Sequence, residues 1–135
     1  TPEAVEEACA SYGRALGTAF QLVDDLLDYE GATAELGKNV GDDLREGKPT
    51  LPLLYAMSHG TPEQRELIRH AIQHGEVERL PDIVEIVRST GALEATRAAA
   101  REEARKASTH ISSLPPSEFK EGLLQLCVQA VERKT

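Results

Sequence analysis

Apolar residues recur every three to four positions along nearly the whole chain, and alternating apolar and polar runs are almost absent, so the pattern predicts an all-α protein. The first helix is expected to start at Thr1, an N-cap with Pro2 at the first helical position, and to run to Tyr29. Its buried stripe is Val5, Ala8, Tyr12, Leu16, Ala19, Val23 and Leu26 or Leu27. Residues 30–48, with glycines at 31, 37, 41 and 47, read as a loop. A second helix fits Pro49 to His59, closed by Gly60, and a third begins with the cap-and-proline pair Thr61-Pro62 and fades before Gly75. Pro81 opens a fourth that ends at Gly91, and Ala92 to Ser113 reads as a long fifth. Pro115-Pro116 then breaks the chain, and Ser117 caps a last helix bearing Phe119, Leu123, Leu126, Cys127 and Ala130. No repeat, low-complexity tract or linker interrupts this series, so residues 1–135 read as one domain.

A chain of 135 residues with 40% apolar content can bury about two-thirds of its unfolded surface and needs neither disulfide nor structural metal to fold. Its 15 Lys and Arg against 23 Asp and Glu give a net charge of −8, and it holds only three Tyr, two Phe and no Trp. That balance argues against a nucleic-acid partner, because neither a basic footprint nor a base-stacking surface is encoded. Cys9 and Cys127 stand far apart and outside any CxxC spacing, so reduced thiols and a cytoplasmic address are expected. No apolar run approaches the ~20 residues of a membrane span, and the amino terminus lacks the layout of a signal peptide. It also lacks an initiator Met, and the chain is expected to be part of a longer protein.

The charge is concentrated. Residues 24–48 hold eight acids against three bases, five of the eight net negative charges. Within Phe20-Gln21-Leu22-Val23-Asp24-Asp25-Leu26-Leu27-Asp28-Tyr29, helical spacing puts Gly17, Gln21, Asp24 and Asp28 on one stripe, with Asp25 beside it and the apolar residues turned away. Asp24 and Asp28 are like charges at i,i+4, costing ~0.2–0.5 kcal/mol, and all three carboxylates crowd the negative end of the helix dipole. A hard divalent cation reverses the sign of that cost, and oxygen-only ligands suit Mg²⁺, which is completed by water and phosphate. The competing reading of such a run is a solvated acidic face. The next segment, Gly37-Lys38-Asn39-Val40-Gly41-Asp42-Asp43-Leu44-Arg45-Glu46-Gly47-Lys48-Pro49-Thr50-Leu51-Pro52-Leu53, favours the metal, because lysines on a glycine-punctuated backbone next to a cation cluster equip a chain to hold a diphosphate.

Together these two segments resemble the carboxyl-terminal half of the trans-isoprenyl diphosphate synthases: the second aspartate-rich motif, FQxxDDxxD, followed by the GK…GDDxxEGKxTLPL signature of the long-chain polyprenyl branch. The resemblance covers some thirty-five consecutive positions. It implies the carboxyl-terminal part of the helical isoprenoid synthase bundle, and a Mg²⁺-dependent prenyltransferase that condenses an allylic diphosphate, such as farnesyl diphosphate, with isopentenyl diphosphate. It further implies that Asp24 is the direct metal ligand, with Asp25, Asp28 and Asp43 acting through metal-bound water or orienting neighbours. Lys38 and Lys48 are implied to grip the allylic diphosphate, and Phe20 and Gln21 to face the isopentenyl substrate or the reacting carbons. The complete enzyme is expected to be a homodimer. The family's first aspartate-rich motif, its following arginines and its upstream isopentenyl-binding residues are missing from these 135 residues, so one of two half-sites is encoded and the chain alone is expected to be inactive.

Two other readings compete. A helical subunit supporting a catalytic partner has no need of Asp24, Asp25, Asp28, Lys38 and Lys48, and a terpenoid cyclase usually carries Asn, Ser or Thr among its second metal ligands. Elsewhere, His70 and His74 stand at i,i+4 with Glu66 on the same stripe, but without HExxH or a downstream third ligand they read as a solvated helix face. His59 reads as a favourable helix-end residue, and Ser58, Ser108 and Ser112 lie in no nucleophile elbow. Cys9 and Cys127 read as packing residues, and the charged Ala98–Ala107 stretch as an ion-pair-laced face.

Overall fold

The computed structural model describes residues 1–30 and 40–133. Six helices are bounded among them: α1 (Pro2–Glu30), α2 (Leu51–His59), α3 (Pro62–His74), α4 (Leu80–Ser89), α5 (Ala92–His110) and α6 (Glu118–Glu132). The described residues contain no strand, as the periodicity predicts. The helix starts follow their local signals. Thr1 Oγ1 accepts from the Ala4 N–H at 3.2 Å, and Ser117 Oγ accepts from Lys120 at 3.0 Å. Thr61 and Gln64 close a reciprocal capping box at 3.1 and 2.9 Å.

The chain divides into two compact units. The first comprises residues 1–23 and 97–134, and packs Tyr12, Ala15, Leu16 and Ala19 of α1 against Ala104 and Ala107 of α5 and Cys127 and Ala130 of α6, with Ile111 and Leu114 from the connection. The small alanines let the helices approach closely. Long-range polar links fasten them: the Tyr12 hydroxyl donates to the Leu123 carbonyl at 2.7 Å, and Arg97 Nη1 donates to the Val131 carbonyl at 2.6 Å. Burial pushes the Tyr12 phenol up to about 12, with the neighbouring Cys127 thiol adding to it. Val5, predicted to pack, is exposed, and so are Phe119 and Leu126 on the last helix. The apolar core of this unit begins one turn after Val5, at Cys9 and Tyr12.

The second unit spans residues 24–96. Here α2, α3 and α4 pack on one another around Leu53, Ala56, Ile68, Ala71, Ile83 and Val87. Tyr29, Val40 and Leu44 join the same core. The predicted loop therefore needs correction: residues 40–45 are helical, because Val40 and Leu44, at i,i+4, turn inward and are fully buried. The rest of that predicted loop, 31–39, lies outside the described residues. Helix α2 starts at Leu51 instead of Pro49, with Thr50 as an extended N-cap and Pro52 in the first turn. Arg88 Nη2 of α4 donates to the Tyr29 carbonyl at 2.9 Å, a cation set on the final turn of α1, where the helix dipole favours one.

Candidate functional site

The last two turns of α1 carry the acidic cluster, and the helix imposes different environments on its members. Val23, Leu26 and Tyr29 fill the buried side, so Asp24 is exposed, Asp28 is half-buried, and Asp25 is drawn inward to 8% exposure. Each of the three is engaged in polar interactions.

The second component is set by one turn. Gly47 adopts φ +70°, a left-handed conformation that costs glycine little, and the Lys48 N–H donates back to the Asp43 carbonyl at 2.9 Å while the Gly47 N–H donates to Leu44 at 3.0 Å. This is a Schellman ending to the 40–45 helix. It fixes Lys48, whose side chain is exposed, one turn from the half-buried Asp43. Burial raises the Asp43 carboxyl above the ordinary range, Lys48 pulls it back, and Glu46 and Asp42 add to the rise.

Tyr29 joins the two components. Its phenol is pushed far above the ordinary tyrosine range chiefly by burial; Thr50 opposes the rise, and the charges of Asp43, Asp28 and Asp25 each add a lesser one. The structure thus brings Asp25, Asp28 and Asp43 into the surroundings of one buried ring. Thr50 Oγ1 is buried there without a hydrogen bond of ordinary geometry. Tyr29 and Thr50 are not among the residues the sequence motifs single out, although an aromatic at i+4 from Asp25 and directly after Asp28 is a visible signal.

Phe20 and Gln21 stand on α1 within the first unit. Phe20 is half-buried, with the Arg133 guanidinium 5.3 Å from its ring centroid, and it borders a cavity of about 440 Å³ shared with Leu126, Gln129, Glu132 and Arg133. Gln21 is exposed. Lys38 lies outside the described residues.

Among the described residues no three His, Cys, Asp or Glu side chains converge as a ready metal cage. The donor set nonetheless fits Mg²⁺, which takes one or two carboxylates and draws its remaining oxygens from water and phosphate. An exposed Asp24 with a half-buried Asp28 on the same stripe suits that demand, whereas the buried Asp25 suits an orienting part. No helix among the described residues is long and apolar enough to cross a membrane.

Residues 1–87 match the family model for polyprenyl synthetase. The chain is 54% identical to octaprenyl diphosphate synthase of Escherichia coli K12 over 134 residues, covering 98% of this chain and 41% of that protein. It is 44% identical to an all-trans-nonaprenyl-diphosphate synthase (geranyl-diphosphate specific) of Rhodobacter capsulatus, over 87% of this chain and 36% of that one. Among solved structures, a polyprenyl synthase from Caulobacter crescentus complexed with calcium and isoprenyl diphosphate superimposes with a TM-score of 0.84 at 43% identity, covering 98% of this chain and 41% of that chain. A decaprenyl diphosphate synthase from Rhodobacter capsulatus gives 0.85 at 39% identity, covering 100% and 42%. The chain therefore spans about two-fifths of the length of these relatives, and its all-α fold is that of isoprenyl synthases.

Proposed function

The chain belongs to the polyprenyl synthetase family, and on that premise we propose that it carries the second aspartate-rich half-site of a trans-prenyltransferase making a long-chain, octaprenyl-type diphosphate. The substrates are an allylic diphosphate such as farnesyl diphosphate and isopentenyl diphosphate. The allylic C–O bond breaks and its electron pair leaves with pyrophosphate. The isopentenyl double bond then forms the new C–C bond, and a proton is lost from the resulting cation.

The residues divide this work by environment. Asp24, exposed at the head of the cluster, would hold Mg²⁺ directly, and Asp25, Asp28 and Asp43 would act through metal-bound water or as orienting neighbours. When bound, the cation supplies charge stabilisation for the departing pyrophosphate. Lys48 and Lys38 bind the allylic diphosphate as compact ammonium charges, which offset the negative charge that grows on its oxygens as the bond breaks. Phe20 and Gln21 face the reacting carbons or the isopentenyl group. What supports the reading is the shared neighbourhood of Asp25, Asp28 and Asp43 around Tyr29, with Lys48 fixed on the turn that follows Asp43. The 135 residues form part of one synthase domain in a cytoplasmic homodimer, and alone they supply cations from one side of the diphosphate only.

The test is kinetic, in the full-length protein. Asp24→Ala is expected to lower turnover by about two to four orders of magnitude with the fold intact, since several kcal/mol of transition-state stabilisation is removed. Turnover within tenfold of wild type refutes the assignment of Asp24. Lys48→Ala is expected to weaken the allylic diphosphate more than isopentenyl diphosphate, and equal loss for both refutes the placement of the Lys48 turn.

A further inference from the structure

We propose that Arg133 is a positioning residue of prenyl transfer: its guanidinium holds the Phe20 ring in the orientation that faces the isopentenyl group or the reacting carbons. The inference rests on Phe20 having that role, and both residues lie in the first unit. Nothing in the sequence joins them, since they stand 113 positions apart. Helix packing does. Arg97 Nη1 of α5 donates to the Val131 carbonyl at 2.6 Å and so ties down the final turn of α6. The chain then leaves the helix at Arg133, at φ −59° and ψ 137°, and the arginine side chain returns to α1.

Two contacts of different kinds meet on Phe20. Arg133 Nη2 donates to the Phe20 carbonyl at 3.4 Å, and the guanidinium carbon lies over the Phe20 ring, 5.3 Å from its centroid. That distance is within cation–π reach, and a planar guanidinium can lie flat on an aromatic face where a compact ammonium cannot. The arginine Nε is shielded from solvent, so the group is seated against the protein and is no loose surface charge. Phe20 has use for such a hold. It packs against the core of the first unit, yet it also borders the cavity of about 440 Å³ that Leu126 and Gln129 line. Close packing confines a ring to one staggered well, and beside open space that confinement is incomplete. The guanidinium supplies on the ring face what apolar neighbours do not supply at the cavity. Displacement by ~1 Å at a group that positions the reacting atoms can cost ~10²-fold in rate.

The experiment is a double-mutant cycle in the full-length protein, reading kcat and KM for isopentenyl diphosphate and for farnesyl diphosphate. Arg133→Ala should lower kcat/KM for isopentenyl diphosphate at least about tenfold and change KM for farnesyl diphosphate less than about twofold. Arg133→Lys should recover only part of the loss, because it keeps the charge without the planar stack. Phe20→Leu keeps apolar bulk and removes the aromatic face; in that background Arg133→Ala should cost less than about twofold more, since the group it acts through is gone. Wild-type kinetics in Arg133→Ala, full recovery in Arg133→Lys, or an undiminished loss on the Phe20→Leu background each overturn the proposal, the last by showing that Arg133 acts on substrate directly or through the fold as a whole. Wild-type kinetics in Phe20→Leu is a separate outcome: it refutes the role of Phe20 itself, and the proposal falls with it.

Discussion

Gly75 links the end of α3 to the segment that carries Asp43 and Lys48, and its replacement by Ala has a cost that the structure resolves into two parts. The first is conformational: at φ +64° an L side chain meets the following carbonyl, for ~1–2 kcal/mol, offset by ~0.4–1 kcal/mol from the stiffer unfolded chain. The second is steric. A Cβ on Gly75 would lie 3.0 Å from the Arg45 carbonyl oxygen and 3.4 Å from its Cα, and backbone cannot swing aside as a side chain end does. Forced repacking of that kind costs ~1–3 kcal/mol. Gly91 supplies the control, since it also has a positive φ, +82°, but a Cβ there meets nothing within 4 Å. Gly91→Ala should therefore lose ~1 kcal/mol and Gly75→Ala about 1–3 kcal/mol more. The assay is urea unfolding of both variants, comparing midpoints at unchanged slope. Equal losses would show that the close approach of Gly75 to Arg45 contributes nothing.

Ile83→Ala, at a fully buried position of the second unit, should cost ~2–5 kcal/mol, measurable as a lowered unfolding midpoint; a loss below 1 kcal/mol would contradict the packing described. Tyr12→Phe should cost ~0.5–1.5 kcal/mol through the lost hydrogen bond to Leu123. Its pH signature is distinct: because the folded phenol titrates at about 12 instead of 10, its contribution is complete below pH 10 and declines as pH rises from 10 towards 12, so stability profiles of wild type and Tyr12→Phe should converge there. Mg²⁺ should raise the melting temperature of the full-length protein, and Asp24→Ala should remove most of that rise; an equal rise in the variant would place the cation elsewhere. The 135 residues alone, incubated with Mg²⁺, isopentenyl diphosphate and farnesyl diphosphate, should yield no polyprenyl product, and robust product would overturn the two-half-site reasoning.

What was legible in the sequence was what local chemistry decides. The caps at Thr1, Thr61 and Ser117 and the break at Pro115-Pro116 bound helices as read, because a cap satisfies its own turn and needs no tertiary partner. The 40–45 helix is hidden in the sequence because glycines at 37, 41 and 47 outweigh the two-residue signal of Val40 and Leu44, whose spacing matters only once a core receives them. Val5, Phe119 and Leu126 show the converse: periodicity identifies an apolar face but carries no information on what covers it. The site was legible as a set of residue types. Its internal division was not, since Asp24 and Asp25 are neighbours of one type and only the direction of Tyr29, Leu26 and Val23 makes the first exposed and the second buried.

That division explains why the unfavourable features of the second unit gather in one place. Asp24 and Asp28 stand at i,i+4, all three α1 carboxyls lie at the negative end of the helix dipole, and Asp25 places a polar group in a site only 8% exposed. Tyr29 adds a buried phenol among carboxylates, and Thr50 a buried hydroxyl without a well-formed bond. Any of these is removable by one substitution to a neutral residue, and a chain shaped for stability alone would lose them. Their concentration between residues 24 and 50, beside a cluster of buried apolar residues, is the pattern expected where local rules are broken for function. The guanidinium of Arg88 on the Tyr29 carbonyl offsets the dipole at the end of α1, one turn from the exposed Asp24.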